Sequence, residues 1–293
     1  MFPSRFDYAA PRSLDEALTI LEQRGDEAKV LAGGQSLIPL MKLRFATPAL
    51  IVDLNRIPAL DYIDEGADYL RVGALTRNRD VVESQLLKDR YPVMATAAPL
   101  ISDPVVRNLG TMGGSLAHAD PAGDWGAVMI ALGADVVAKS QSNERVIPVR
   151  ELFSDTFTTI LEPSEVITEI RVPKPAASSG GTYLKLERKV GDFATVAVAV
   201  RLDIDDGKVG GAGIALTAVG PTNIHASSAE DSLRGVEPSE QAFEEAGRRA
   251  AEASSPVTDV RGTADYKRQI VKTFVKRGLS DALNHARATQ GRE

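Results

Sequence analysis

The chain has 293 residues, of which 43% are hydrophobic and 25% charged, and its formal net charge is −6. This composition is typical of a water-soluble globular protein long enough for two domains. The sequence has no apolar run near the roughly 20 residues that span a bilayer and no dense Lys/Arg run that predicts a nucleic-acid partner. It also has no cysteine, which excludes disulfides, iron–sulfur clusters and thiolate zinc sites within the chain.

The three histidines, His118, His225 and His285, are far apart and show none of the spacings of a metal site. We therefore predict no metal ligands and no catalytic residues in this chain. Residues 1–8 lack the charged head and long apolar stretch of a signal peptide, so a cytoplasmic location is expected. Any redox chemistry would come from an organic cofactor.

The first predicted unit is a small α/β unit that ends near Pro58. Its first helix begins after Ser13, because Ser13 and Glu16 have the spacing of a capping box. A short strand, a Gly-Gly turn, a helical turn and a buried strand follow, over residues 29–32, 33–34, 37–44 and 49–54.

The second predicted unit joins helices to a mixed sheet. Its predicted strands cover 69–74, 135–138, 146–149 and 166–172, and its helices cover 76–83, 93–101 and 124–132.

A Pro-, Ser- and Gly-rich segment over residues 173–181 predicts a linker. Alternating strands beyond it, over 183–189, 195–204 and 209–219, predict an antiparallel meander. The last helix has an apolar stripe that we expect to face this sheet, formed by Ile270, Val271, Phe274, Val275, Leu279, Ala282 and Leu283.

Two glycine segments suggest a function. Residues 31–37 read Leu-Ala-Gly-Gly-Gln-Ser-Leu, and residues 110–115 read Gly-Thr-Met-Gly-Gly-Ser. Glycine permits φ > 0 and close approach of a ligand to the backbone, and successive N–H groups in such a turn bind anions. The pair could hold the linked phosphates of a dinucleotide, although the chain has neither a G-x-G-x-x-G nor a P-loop pattern. Each segment alone is also compatible with a plain turn in which Ser36 or Thr111 is a capping residue.

Together, A-G-G-Q-S-L-I-P-L-M-K-L-R from Ala32 and R-N-L-G-T-M-G-G-S-L-A-H-A-D-P from Arg107 resemble the FAD-binding medium subunit of molybdenum hydroxylases. This is the xanthine dehydrogenase superfamily, and the medium subunits of aerobic carbon monoxide dehydrogenases are especially similar. One position departs, since Gln35 stands where those dehydrogenases typically have histidine. The resemblance runs from Phe6 to the last helix.

The resemblance implies an α+β fold with two domains. Residues 1–175 would form a two-lobed FAD-binding domain of the vanillyl-alcohol-oxidase/PCMH type, with lobes over about 1–57 and 58–175. Residues 176–293 would form a C-terminal α+β domain of the CO dehydrogenase flavoprotein type, an antiparallel sheet with helices.

It also implies that both glycine segments wrap the FAD pyrophosphate, through Ala32, Gly33, Gly34, Gln35 and Ser36 and through Thr111, Gly113, Gly114 and Ser115. Asp124 matches an acid that hydrogen-bonds the ribose or adenine side of FAD in relatives. Capping of the next helix is the alternative role for Asp124.

A third pattern, K-x-x-R-K-x-G-D-[YF]-A, begins at Lys185. By resemblance, Phe193 occupies the place of an aromatic residue, usually tyrosine, close to the isoalloxazine ring. Lys185 would place a cation near flavin N1 and its C2 carbonyl and so favour the reduced ring. The alternatives are a solvated strand charge for Lys185 and ordinary core packing for Phe193. Packing or hydrogen bonding is likewise the simpler role for His118, and core packing or a subunit contact is the simpler role for Trp125.

As a member of this family, the chain would bind FAD without a covalent link. It would accept electrons from two [2Fe-2S] clusters of a small subunit, which receive them from a molybdenum cofactor in a large subunit. It would then pass them to an external acceptor, within a dimer of heterotrimers. The alternatives are a stand-alone FAD-dependent reductase of the same fold group and a non-enzymatic assembly protein.

Overall fold

The computed structural model describes residues 2–290, so Met1 and residues 291–293 of the predicted domains lie outside it. Its first unit contains a parallel three-stranded sheet in the order β1-β3-β2. Segments that follow neighbouring parallel strands leave a sheet at the same edge, so the turn after β2 lies beside the chain after β3. The elements are β1 (Asp7–Ala9), α1 (Leu14–Arg24), β2 (Ala28–Leu31), α2 (Leu37–Lys42) and β3 (Leu50–Asp53).

The predicted N-cap of α1 is confirmed. The Ser13 hydroxyl accepts a hydrogen bond from the Glu16 N–H at 3.2 Å. The Glu16 carboxylate does not complete the box, because it accepts from the Arg12 N–H at 2.9 Å instead of from Ser13. The helix buries Ala17, Leu18 and Leu21, and this apolar side anchors it on the sheet.

The second unit has a five-stranded sheet in the order β4-β5-β10-β6-β7. Every neighbouring pair is antiparallel, so the prediction of a mixed sheet is wrong. The reason is that β10 inserts between β5 and β6 and runs opposite to both. The elements are β4 (Ile63–Glu65), β5 (Tyr69–Gly73), α3 (Asn78–Glu83), α4 (Gln85–Arg90), α5 (Pro92–Ala97), α6 (Pro104–Leu109), α7 (Met112–His118), α8 (Asp124–Ala131), β6 (Asp135–Lys139), β7 (Glu144–Pro148), α9 (Val149–Leu152), β8 (Phe153–Asp155), β9 (Thr158–Thr159) and β10 (Val166–Pro173).

The third unit confirms the predicted meander. Its sheet has the antiparallel order β11-β12-β13-β14. The predicted linker is too long, because residues from Ser179 onward already pair with β12 and only residues 174–178 connect the sheets. The elements are β11 (Ser179–Leu186), β12 (Val196–Asp205), β13 (Lys208–Thr217), β14 (Ile224–His225), α10 (Ser227–Asp231), α11 (Glu240–Ala253) and α12 (Ala264–Gln290).

The two faces of this sheet bury different side chains because residues alternate along a strand. Val196, Val198 and Val200 share a core with α11 and α12, where Val271 and Val275 of the predicted stripe are fully buried. This confirms that α12 packs on the sheet. The opposite face carries Ala197, Ala199 and Ala215, which join the core of the second unit.

Small residues let that opposite face approach α8 closely. A Cβ at Gly213 would lie 1.8 Å from the Ala131 carbonyl oxygen, so only glycine fits there. The second and third units are therefore packed backbone against backbone.

We expect Gly213→Ala to destabilise the protein by about 1–3 kcal/mol, because the extra carbon overpacks this contact. Urea unfolding of the purified chain measures the change. The control is Gly66→Ala, whose Cβ would lie 3.4 Å from the Tyr69 oxygen, and it should change stability by less than about 0.5 kcal/mol. Equal midpoints for the two variants would contradict the close contact.

Candidate functional site

The first turn, residues 32–36, presents a row of unused hydrogen-bond donors. Gly34 has φ of +70°, a conformation that glycine adopts without strain. Nothing among residues 2–290 accepts a hydrogen bond from the backbone N–H of Gly33, Gly34, Gln35 or Ser36. Ser36 stands before α2 without a side-chain capping bond. Four successive N–H groups and a hydroxyl are thus available to a ligand.

The second turn, residues 110–115, is built differently. Thr111 caps α7, and its hydroxyl accepts from the Gly114 N–H at 3.1 Å while its carbonyl accepts from the Ser115 N–H at 3.1 Å. The Gly113 N–H donates to the Ala74 carbonyl at 3.0 Å, and a Cβ at Gly113 would lie 2.6 Å from the Ala74 Cβ. Gly113 therefore serves packing, and this turn offers hydroxyls more than N–H groups.

The fold brings the two turns into contact. A Cβ at Gly33 would lie 2.3 Å from the Leu109 carbonyl oxygen, directly before the second turn. A Cβ at Gly114 would lie 3.5 Å from the Ala32 Cβ. The two predicted segments therefore lie against each other, although they belong to different units of the fold.

A buried charged cluster lies where the second and third units meet. Both Asp124 oxygens accept hydrogen bonds, Oδ1 from the Tyr183 hydroxyl at 2.6 Å and Oδ2 from Lys185 Nζ at 3.0 Å. Lys185 Nζ also donates to the Leu100 carbonyl at 2.9 Å. The Lys185 side chain is only 1% exposed, so it is not a solvated strand charge. Asp124 makes no capping bond at the start of α8.

This cluster holds more acid than base. Glu187 Oε2 lies 3.6 Å from Lys185 Nζ and is buried without a hydrogen-bond partner among the described residues. Burial raises the pKa of Asp124, with Lys185 and Tyr183 opposing the shift. Burial also raises the pKa of Tyr183 well above its ordinary value, so this phenol stays a neutral donor. Glu187 Oε2 is thus a buried acceptor that can take a hydrogen bond from a ligand.

Tyr183 and Glu187 lie outside the site residues predicted from the sequence motifs. Both are two residues from Lys185, and residues at that spacing point to the same face of a strand. That periodicity was the signal that could have found them.

The loop after β11 carries Phe193, whose side chain is 56% exposed and therefore does not belong to the core. Arg261 holds the loop through bonds to the Phe193 carbonyl at 2.8 Å and to the Asp192 carboxylate at 3.1 Å. The Arg261 hydrogen bond lowers the pKa of Asp192 to about 2. Gly191, with φ of +84°, lets the loop turn against Ser102.

His118 and Trp125 have packing contacts. The Trp125 side chain is fully buried, and its Nε1 donates to the Asn78 side-chain oxygen at 2.9 Å. The His118 ring lies 5.1 Å from the Phe157 ring, and burial lowers the His118 pKa.

Residues 2–290 show neither a metal-binding cluster nor a membrane-spanning helix. They contain no group of three or more His, Asp or Glu side chains placed to hold a metal ion. None of their helices combines the length and apolar character needed to cross a membrane.

Comparison with known proteins identifies the family. The family described as "FAD binding domain in molybdopterin dehydrogenase" matches residues 4–175. The chain belongs to this family. A second family, "CO dehydrogenase flavoprotein C-terminal domain", matches residues 181–282. The recognition made from the glycine segments and the α+β fold expected from it are therefore confirmed.

Individual relatives match over nearly the whole chain. The carbon monoxide dehydrogenase medium chain of Hydrogenophaga pseudoflava is 43% identical, covering 96% of this chain and 98% of its own. The 6-hydroxypseudooxynicotine dehydrogenase complex subunit alpha of Paenarthrobacter nicotinovorans is 38% identical, covering 99% and 98%. A solved Hydrogenophaga pseudoflava carbon monoxide dehydrogenase chain superposes with a TM-score of 0.93 at 45% identity, covering 99% of both chains.

The residues present fit the FAD that this family binds. A pyrophosphate needs N–H and hydroxyl donors, and the first turn leaves four N–H groups unused. A flavin and its ribityl chain carry N–H and hydroxyl donors, and Glu187 Oε2 is a buried acceptor without one. FAD is thus the cofactor of this chain, as the resemblance implied.

We expect Asp124→Asn to lower stability by about 1.5–3 kcal/mol, because it weakens two buried hydrogen bonds to a charged group while Glu187 still faces the Lys185 ammonium at 3.6 Å. Urea unfolding of the FAD-free chain measures it. The matched control is Asp80→Asn, which removes an exposed pair with Arg79 at 3.2 Å and should cost less than about 1 kcal/mol. Similar losses for the two variants would show that the buried pair is not structural.

Proposed function

We propose that this chain is the flavin subunit of a molybdenum hydroxylase complex. It accepts electrons from iron–sulfur clusters of a partner and passes them to an external acceptor. The observation that carries the proposal is the row of four unused N–H groups in the first turn. That row lies in a chain whose relatives named as dehydrogenase subunits match it nearly end to end.

Each proposed site residue has a physical task at the cofactor. The N–H groups of Gly33, Gly34, Gln35 and Ser36 bind the pyrophosphate, with Ala32, Thr111, Gly113, Gly114 and Ser115 shaping the opposite side. Asp124 and Lys185 lie at the seam with the C-terminal domain, and Phe193 covers the ring. When bound, FAD supplies two-electron redox chemistry that these side chains cannot provide.

Partners follow from what the chain lacks. Iron–sulfur clusters are held by cysteine thiolates, and the sequence contains none. The proposed partners are a large subunit with a molybdenum cofactor and a small subunit with two [2Fe-2S] clusters. This chain and these two subunits form a heterotrimer, and two heterotrimers form a dimer in the cytoplasm. Within this chain we propose an FAD-binding domain over 1–175, with lobes over about 1–57 and 58–175, and a C-terminal domain over 176–293.

We expect the purified chain, loaded with FAD, to oxidise no aldehyde, purine, N-heterocycle or carbon monoxide, because it has no substrate site of its own. Slow turnover with NADH or dithionite is compatible with the proposal. Dye-reduction assays before and after addition of the molybdenum and iron–sulfur subunits measure the gain. Turnover of an organic substrate by the chain alone, free of molybdenum and iron, would favour a stand-alone reductase.

The buried cluster should set the flavin potential. We expect Lys185→Met to lower the midpoint potential of the bound flavin and Glu187→Gln to raise it. Each shift should be on the order of 30 mV, which is about tenfold in a two-electron equilibrium constant. Opposite signs follow because one variant removes a positive charge and the other a negative one.

Spectroelectrochemical titration of the complex measures both potentials. Glu237→Gln is the control, because Glu237 is an exposed glutamate and should leave the potential unchanged. Unchanged potentials in both Lys185 and Glu187 variants would place the ring elsewhere.

A further inference from the structure

Asn55 lies in the short helical turn Leu54–Arg56 that follows β3, and it ties the first turn to its own sheet. Its Nδ2 donates to the Ala32 carbonyl at 2.8 Å and to Asp53 Oδ1 at 2.6 Å. The Asp53 carboxylate is held in turn by the Asn55 N–H at 2.9 Å and by the Tyr8 hydroxyl at 2.6 Å. The Asn55 amide is therefore fixed in one orientation beside the first turn.

Arg77 reaches this amide from the second unit. Its guanidinium donates through Nη2 to the Asn55 side-chain oxygen and through Nη1 to the Leu109 carbonyl. That carbonyl is the one that a Cβ at Gly33 would strike at 2.3 Å. One side chain thus touches both sides of the junction between the two turns.

The backbone around Arg77 is also tied to the second turn. Arg77 forms an isolated antiparallel bridge with Thr111, and the Asn78 N–H donates to the Gly110 carbonyl at 2.9 Å. The guanidinium therefore extends from a backbone that is hydrogen-bonded to the second turn. The Arg77 side chain is long enough to reach Asn55 in the first unit.

A planar guanidinium can make both bonds at once, whereas a lysine ammonium on a shorter stem presents a point charge. We propose that the Arg77–Asn55 bridge sets the spacing of the two glycine turns and thereby positions the pyrophosphate of FAD. Arg77 and Asn55 are positioning residues, since they act through the carbonyls of Ala32 and Leu109. This inference rests on the proposed function.

The bridge contributes little to the hydrophobic core. Arg77 is half-buried, and its bonds lie at the surface, where such pairs add little to the stability of a fold. Its loss should therefore loosen the turns without unfolding the protein. Loss of the bridge should therefore change the affinity for FAD without changing the stability of the fold.

The experiment compares Arg77→Met and Arg77→Lys with Arg79→Met in the complete complex. Arg79 lies two residues further on, is exposed, and pairs with Asp80 and Glu83 at the surface. Deflavinated complexes are titrated with FAD to give Kd, and the ³¹P chemical shifts of the bound pyrophosphate are recorded. The melting temperature of each deflavinated protein is the measure of stability.

Both Arg77 variants should raise the FAD Kd by about tenfold to hundredfold and shift the ³¹P resonances, with melting temperatures equal to that of Arg79→Met. Asn55→Ala should weaken binding as well. The double variant Asn55→Ala/Arg77→Met should have an FAD Kd no higher than that of the single variant with the higher Kd. The effects should not add, because both substitutions remove the same bridge.

An unchanged Kd and unchanged ³¹P shifts in the Arg77 variants would overturn the inference. A Kd loss matched by a fall in melting temperature, with unchanged ³¹P shifts, would also overturn it. If the wild-type complex binds no FAD, the proposed function itself fails. Normal binding by wild-type and Arg77 variants alike would refute only the bridge.

Discussion

The contact between the two glycine turns is the constraint on which the rest of the site depends. Gly33 lies so close to the Leu109 carbonyl that no side chain fits between them. The first turn can approach this closely because glycine has no Cβ, and its N–H groups are not used among the described residues. The parallel sheet of the first unit positions the first turn, and helices α6 and α7 of the second unit position the second turn against it. The proposed anion site thus lies at the junction between the first and second units.

The two turns share a composition but differ in their hydrogen bonding. In the first, the donors are free, which suits a polyanion. In the second, the Gly113 and Gly114 N–H groups are consumed by the Ala74 carbonyl and the Thr111 hydroxyl. Glycine is needed there for closeness to Ala74 rather than for donors. Identical residue types therefore perform different physical work on the two sides.

The third unit contacts the second through a buried charged cluster. Tyr183 and Lys185 lie on strand β11, and both donate hydrogen bonds to Asp124 on helix α8 of the second unit. The small residues on that sheet face, such as Gly213, allow the helix to lie close enough for these bonds. A larger side chain on this sheet face would push α8 away from the sheet. It would therefore also separate Asp124 from Lys185.

The sequence by itself determined the family, the α+β fold, the meander of long alternating strands and the stripe of α12, because local periodicity and two specific motifs encode them. The antiparallel order of the second sheet and the start of β11 at Ser179 were decided by long-range pairing, which no local pattern contains. Only the tertiary structure joined Arg77 to Asn55 and left Glu187 Oε2 without a donor. Those relations depend on chain segments far apart in sequence, and close packing alone brings them together.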